Sequence, residues 1–317
     1  MTHCYCGIDI GGTKIAGGLV DEQGRVSSRR EVPTPVRAGG SQILANAIAL
    51  ARQIIATSTR PVKAIGIGAG GQIDADKGLV FSATEVLPGW KGQRITEAFE
   101  RELGLPTKVD NDVNVLGLGE SRFGAARHLR NASVVFLALG TGVGGAIIID
   151  GKVVRGSHWS GGELGHILVS MDDNARVDLG GTKGTLEAYC SGPALVNIWR
   201  ELSGHDSEDL SGYDVVADAD RNPDGPGAKA IELIGKHLGF GLVTLANALD
   251  PDLIIIGGGL AALKGRLLKP AIAVLKERAM PGPATCPVVT AELEADAAIV
   301  GAASLVIPQE AEITVMS

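Results

Sequence analysis

Asp9-Ile10-Gly11-Gly12-Thr13-Lys14 lies between two short apolar runs, residues 5–10 and 15–20. Apolar runs of that length around a Gly-Gly pair read as two strands joined by a tight turn. Residues 21–24 make another turn, and 25–32 alternate as a third strand. A helix is predicted over 41–58, with Leu44, Ile48, Ala51 and Ile55 on one face. A buried strand over 62–68 then runs into glycine-rich chain. The order recurs later. Residues 133–139 are apolar, Gly140-Thr141-Gly142-Val143-Gly144-Gly145 makes the turn, 146–149 are apolar again, and Asp150-Gly151 turns into 152–154. A long helix over 227–249 precedes a strand at 253–256 and Gly257-Gly258-Gly259. The two halves differ in residues and agree in element order. That predicts two related α/β domains with mixed sheets, facing one another across a cleft, a common place for a ligand.

The composition fits this reading. The chain has 317 residues, which at ~150 per domain gives about two domains. Hydrophobic residues are 45% and charged residues 21%, ordinary for a packed globular chain. With 29 basic and 36 acidic residues the net charge is −7, which argues against binding nucleic acid through its phosphates. Glycine is abundant, at 45 residues, and aromatics are only 3%, as in a chain of tight turns and close backbone approaches. Cys4, Cys6, Cys190 and Cys286 are too few and too scattered for a disulfide framework. Cys4 and Cys6 share one strand face and read as small core or edge residues. No apolar stretch approaches the ~20 residues of a membrane span, and residues 1–7 carry no signal-peptide pattern. The expected compartment is the cytoplasm. The domain break is expected near 110–114, giving a first domain of 1–112, completed by a C-terminal helix at 303–317, and a second of 113–302. Residues 205–226, rich in Ser, Asp, Gly and Pro, read as an exposed loop. Residues 295–307 read as a helix packing back on the first domain.

The chemistry-bearing residues gather at these turns. Gly11 and Gly12 expose backbone N–H groups to a phosphate, and Thr13 and Lys14 add a hydroxyl and a cation. Asp9, ending a buried strand, can hold Mg²⁺ through water. A plain hairpin, with an exposed Lys14, reads equally well. The pattern is neither a Walker loop nor a dinucleotide fingerprint, since a strand and not a helix follows. Gly140, Thr141 and Gly142 form the counterpart turn, suited to the other end of a polyphosphate. Gly257, Gly258 and Gly259 allow an adenine or ribose to approach closely. Asp110-Asn111-Asp112-Val113-Asn114 opens a helix running to about 126. It reads either as a helix cap or with Asp112 as general base for a sugar hydroxyl and Asn111 orienting the substrate. Glu163 and His166, three positions apart, and the later Glu187 are good partners for vicinal sugar hydroxyls.

With these motifs in this order, the chain resembles the ROK family of sugar kinases and their relatives, within the two-domain actin/hexokinase-like (ribonuclease H-like) fold. The segment from Asp9 to Lys14 resembles the family's first phosphate motif, Leu139 to Gly145 the second, and Ile256 to Gly259 the adenosine motif. Asn111-Asp112-Val113-Asn114 resembles its Asn-Asp-x-Asn segment, and Glu163-Leu164-Gly165-His166 and Leu186-Glu187 its sugar-site segments. The resemblance spans nearly the whole chain. It implies transfer of the γ-phosphoryl group of MgATP to the 6-hydroxyl of glucose or a glucose-like sugar. Asp112 then acts as base, and Asn111, Glu163, His166, Glu187 and Gly70 contact the sugar. It also implies a homodimer or homotetramer.

Two departures stand out. The family often carries zinc on the His of Glu-Leu-Gly-His and a Cys-x-Cys-Gly-x-x-Gly-Cys run. Here the three cysteine positions are Asp178, Gly180 and Thr185. Gly and Thr are not zinc ligands of the usual N/S kind, so no zinc is expected. The second departure is Glu85-Val86 before Leu87-Pro88-Gly89-Trp90, where family glucokinases have Pro-Asn. Glu85 facing the sugar would suit an amino sugar such as kanosamine, as in antibiotic pathways; Glu85 facing solvent leaves an ordinary glucokinase. A sugar-sensing repressor of the family would need a DNA-binding segment ahead of Asp9. A catalytically silent sugar binder would need neither Asp112 nor the paired glycine turns.

Overall fold

The computed structural model describes residues 3–83, 87–205 and 210–309. The chain forms two compact units, Met1–Arg130 with Gly151–Gly161 and Glu292–Ser317, and Asn131–Asp150 with Gly162–Ala291. Both mix strands and helices.

In the first unit the 9–14 hairpin forms as expected. β1 (Cys4–Ile10), β2 (Lys14–Asp21) and β3 (Val26–Pro33) make an antiparallel meander. α1 (Gly40–Ile55) leads to β4 (Val62–Ala69). A small hairpin, β5 (Gln72–Asp74) and β6 (Leu79–Ser82), is followed by α2 (Ile95–Leu103), β7 (Thr107–Asn111) and α3 (Asp112–Arg122). The sheet order is β3-β2-β1-β4-β7, with β4 parallel to both β1 and β7. Leu44, Ile48 and Ala51 of the predicted α1 face are buried, together with Ile43, Ala47, Leu50 and Ile54. That stripe packs with Ile8, Ile10, Ile65 and Ile67 of the central strands and with Trp90 and Phe99. Cys4 and Cys6 are buried, as small core residues.

The second unit repeats the plan. β8 (Ser133–Leu139) and β9 (Val143–Ile149) form the antiparallel hairpin. Then come α4 (Leu186–Cys190), α5 (Gly192–Ser203), α6 (Gly212–Arg221) and the long α7 (Pro226–Leu249). β10 (Leu253–Gly257), α8 (Gly265–Arg278) and β11 (Val288–Thr290) complete it. β10 lies parallel to both β8 and β11. Ile231, Ile234, Leu238, Leu242 and Leu245 of α7 meet Val135, Leu137, Ile254 and Ile256 of the sheet.

α6 corrects the expected loop at 205–226. Its Ser, Asp and Gly content supplies a capping box, Ser211 with Asp214, in which Asp214 Oδ2 accepts from the Ser211 N–H at 2.8 Å and from its hydroxyl at 2.7 Å. Residues 206–209 lie outside the described residues.

The chain re-enters the first unit at Glu292 and forms α9 (Ala297–Ser304). Ile299, Val300 and Ala303 pack on Tyr5, Val20 and Ala64. A Cβ at Gly66 would sit 1.9 Å from the Ala302 carbonyl oxygen, so β4 and α9 meet backbone to backbone. Gly301 approaches α3 as closely, since its Cβ would sit 2.2 Å from the Val115 carbonyl oxygen. This contact holds α3 in the first unit, whose first segment runs to Arg130 and not to 112. The C-terminal helix stands at Ala297–Ser304, earlier than the expected 303–317, of which 310–317 lie outside the described residues.

Candidate active site

In the first unit, parallel β4 and β7 end beside β1. Asp9 on β1 pairs with Gly68 of β4, and Gly68 with Asp110 of β7. Asp112 follows on the first turn of α3. A Cβ placed on Gly68 would lie 3.7 Å from both Asp9 Oδ1 and the Asp112 Cα, and one on Gly70 would lie 3.8 Å from Asp112 Oδ2. The close approach at Gly68 is to Val115, whose Cγ2 would lie 2.7 Å from such a Cβ, so that glycine lets α3 pack against β4. Trp90, fully buried, donates its indole N–H to the Gly70 carbonyl at 3.1 Å and fixes that strand end.

Burial pushes the Asp9 carboxyl up, and the charge of Asp112 adds to it; Lys14 only partly offsets this, leaving a pKa of about 7. Asp112 is also raised, by burial, against hydrogen bonds from the backbone N–H groups of Val113 and of Asp112 itself and from the Asn111 side chain. Both are carboxylates whose ionised forms are under-solvated, a condition a nearby cation or a proton relieves.

Asn111 takes the cap role that the sequence left open. Its Oδ1 accepts from Val113 N at 2.9 Å and Asn114 N at 3.1 Å, while Nδ2 donates to the Gly71 carbonyl at 3.0 Å. Asp110, 1% exposed, accepts from Arg155 Nε at 2.7 Å and Asn114 Nδ2 at 2.9 Å, so the whole Asp-Asn-Asp turn is fastened. The sequence singled out neither Arg155 nor its role here. At the first glycine turn, Gly12 and Thr13 are exposed. Lys14 Nζ is paired with Glu31 across the meander at 2.9 Å, both side chains more than half exposed, the hairpin-lysine reading.

In the second unit, Glu163 and His166 bracket a single 3₁₀ turn, Leu164–His166, and are exposed. Leu164 anchors that turn in the same core as Val143 of the second glycine turn. Glu187 on α4 sends Oε2 to the Val143 N–H at 2.9 Å. A Cβ on Gly142 would lie 2.4 Å from that oxygen, so a side chain there would displace the Glu187 carboxylate. The Gly140 carbonyl in turn accepts from Gly192 N, at the start of α5, at 2.7 Å. Gly258 and Gly259 are exposed beyond β10, whereas Gly257 is buried.

Gly140, Thr141 and Gly259 line one cavity of about 680 Å³, with Val196 and Arg200 of α5, Tyr213 and Val216 of α6, and Arg266 of α8. Sequence reading missed the helix α6 and therefore Tyr213 and Val216; the Ser-x-x-Asp box at 211–214 was the available signal. The expectation at Glu85 falls outside the described residues. Among the described residues no group of three or more His, Cys, Asp or Glu side chains is placed to hold a metal ion, and no helix is long and apolar enough to cross a membrane.

The chain matches the ROK family over residues 5–309. It is 34% identical to a glucokinase of Halalkalibacterium halodurans, covering 96% of each chain. It is 35% identical to a glucokinase of Streptomyces coelicolor, over 94% of this chain and 96% of that one. Among solved structures, a ROK family glucokinase from Streptomyces griseus in complex with glucose and AMPPNP superposes with a TM-score of 0.77 at 32% identity, over 95% of this chain and 98% of that one. Likeness of this extent, in sequence and in topology, goes with an actin/hexokinase-like architecture, and the chain belongs to the ROK family.

Proposed function

We propose that this chain is an ATP-dependent sugar kinase that moves the γ-phosphoryl group of MgATP to the 6-hydroxyl of glucose or a closely related hexose. The observation that carries the reading is Asp112. It is a half-buried carboxylate at the start of α3, held by the Val113 N–H at 2.9 Å, with its proton affinity raised by burial. A carboxylate so held is suited to take a hydroxyl proton. As the sugar oxygen bonds to the γ-phosphorus, the bond to the bridging oxygen breaks, ADP leaves, and the hydroxyl proton passes to Asp112. Positioning and charge neutralisation do most of the work in such transfers.

The remaining roles follow from chemistry and neighbours. The turns at Gly11, Gly12 and Thr13 and at Gly140, Thr141 and Gly142 suit the phosphates: Gly12, Thr13 and Thr141 are exposed, while the Gly11 and Gly140 N–H groups close the turns on the Lys14 and Gly142 carbonyls. The cavity lined by Thr141, Tyr213 and Gly259 suits the adenosine, with Gly257 and Gly258 leading into it. Asp9, destabilised as an anion, is the group for Mg²⁺, which supplies charge neutralisation when bound. Glu163 and His166, exposed on one turn, and Gly70 suit the sugar hydroxyls. The need for ATP and the free cysteines Cys4, Cys6, Cys190 and Cys286 favour the reducing cytoplasm.

The test is a coupled ADP-release assay with MgATP against glucose, mannose, fructose, N-acetylmannosamine, glucosamine and kanosamine. Turnover of glucose supports the reading. A marked preference for kanosamine keeps the kinase and replaces the substrate. No turnover with any of the six overturns it and leaves a sugar-binding protein.

A further inference from the structure

Asp178, Gly180 and Thr185 stand where the family resemblance implies cysteines, and the loop they belong to is held by other contacts. Asp178 is 8% exposed and Thr185 fully buried. Asp178 Oδ1 accepts from Thr182 N at 2.8 Å, and Oδ2 accepts from Thr185 Oγ1 at 2.9 Å. The same Oδ2 lies 3.4 Å from His166 Nδ1. The backbone closes the loop around that carboxylate, with Asp178 N donating to the Thr182 carbonyl at 2.9 Å and Gly184 N to the Arg176 carbonyl at 2.8 Å. Thr185 Oγ1 also accepts from Ala188 N at 3.3 Å, which caps α4, the helix that carries Glu187.

These residues do not fit zinc. A structural zinc takes four N or S donors. Here one imidazole faces a carboxylate whose two oxygens are already engaged, a hydroxyl that is itself spent on a helix cap, and a glycine.

We infer that Asp178 is a positioning residue that replaces the metal, orienting the His166 imidazole through Nδ1 and, through Thr185, seating the helix that presents Glu187. A proton on Nδ1, 3.4 Å from the Asp178 carboxylate, would leave Nε2 as a lone-pair acceptor. Carboxylate-to-imidazole contacts fix ring tautomer and orientation in this way. Where sugar affinity is concerned, the inference rests on the kinase reading above; the loop chemistry does not.

The first measurement is on the wild-type protein. It should purify with far less than one zinc per chain, keep its melting temperature in EDTA, and show the Nδ1–H tautomer of His166 in ¹⁵N spectra, assigned by loss of the signals in His166→Gln. Stoichiometric zinc, or an Nε2–H tautomer, overturns the inference; neither readout needs a sugar, and the zinc content and EDTA melt need no variant. Asp178→Asn is then expected to shift the His166 tautomer. It should also raise the KM for glucose about tenfold while kcat changes less than threefold, because Asp112 is untouched. An unchanged tautomer and KM overturns the positioning role. Should no sugar be turned over by the wild type, the kinase reading fails while zinc content and tautomer still decide this one.

Discussion

Asp112 helps to keep the proton on Asp9. The two stand on either side of Gly68, and the charge on Asp112, added to burial, lifts the Asp9 carboxyl to about 7. Between its unfolded value of 3.8 and about 7, Asp9 holds a proton when folded that it lacks when unfolded. Stability therefore declines as pH rises through that window. Asp9→Asn removes the penalty. In protein free of nucleotide and divalent ions it should raise stability at pH 8 by roughly 1–3 kcal/mol, with the gain vanishing toward pH 4. Thermal melts at the two pH values check this. The same variant should lose most of its kinase activity if Asp9 holds Mg²⁺ as proposed, because the proposed carboxylate ligand is gone.

Asp112→Asn keeps the size of the side chain and one acceptor for Val113 N–H, and removes the proposed base. We expect kcat to fall by about 10²–10⁴ with the sugar KM within a few fold. Isotope-labelled spectra should also show the Asp9 pKa falling, since the repulsion is gone. Turnover near the wild-type rate would remove Asp112 from the mechanism.

Gly142→Ala puts a methyl 2.4 Å from Glu187 Oε2. The carboxylate must leave Val143 N–H, which loses its partner at the second glycine turn. A lost charge-assisted hydrogen bond is worth about 1.5–3 kcal/mol. Steady-state kinetics should therefore show kcat/KM for ATP down at least tenfold, with the fold intact by circular dichroism.

Val216→Trp fills part of the cavity between α5, α6 and the Gly259 turn. Burying an indole there takes the volume proposed for the nucleotide. The expected result is a KM for ATP at least tenfold higher and an unchanged KM for glucose. A change confined to glucose would place the nucleotide elsewhere.

Much of this molecule is readable in its sequence, and the exceptions have a common cause. The hairpins at 9–14 and 140–145 announce themselves through local apolar runs and Gly pairs, and α1 and α7 through their stripes. Asp112 and Glu163 stand in short motifs. α6 was hidden because Ser, Asp and Gly serve helix starts as well as loops, and only the pairing of Ser211 with Asp214 separates the two. The end of the first unit's first segment depended on α9 reaching α3, residues far apart in the chain. Asp178 meets His166 and Thr185 through a loop closure that no local pattern encodes. Arg155 reaches Asp110 in the same way.

The indole of Trp90 has an optical consequence. It is sealed from solvent, and its N–H rests on the Gly70 carbonyl, next to Asp112. The chain has three tryptophans, and the others are Trp159 and Trp199. With those two replaced by phenylalanine, the emission spectrum reports on a single chromophore whose field is set by the Gly70 strand end. An occupant that loads that strand end is expected to alter the quantum yield. Affinity at Asp112 then becomes readable by light alone, without turnover and without a label.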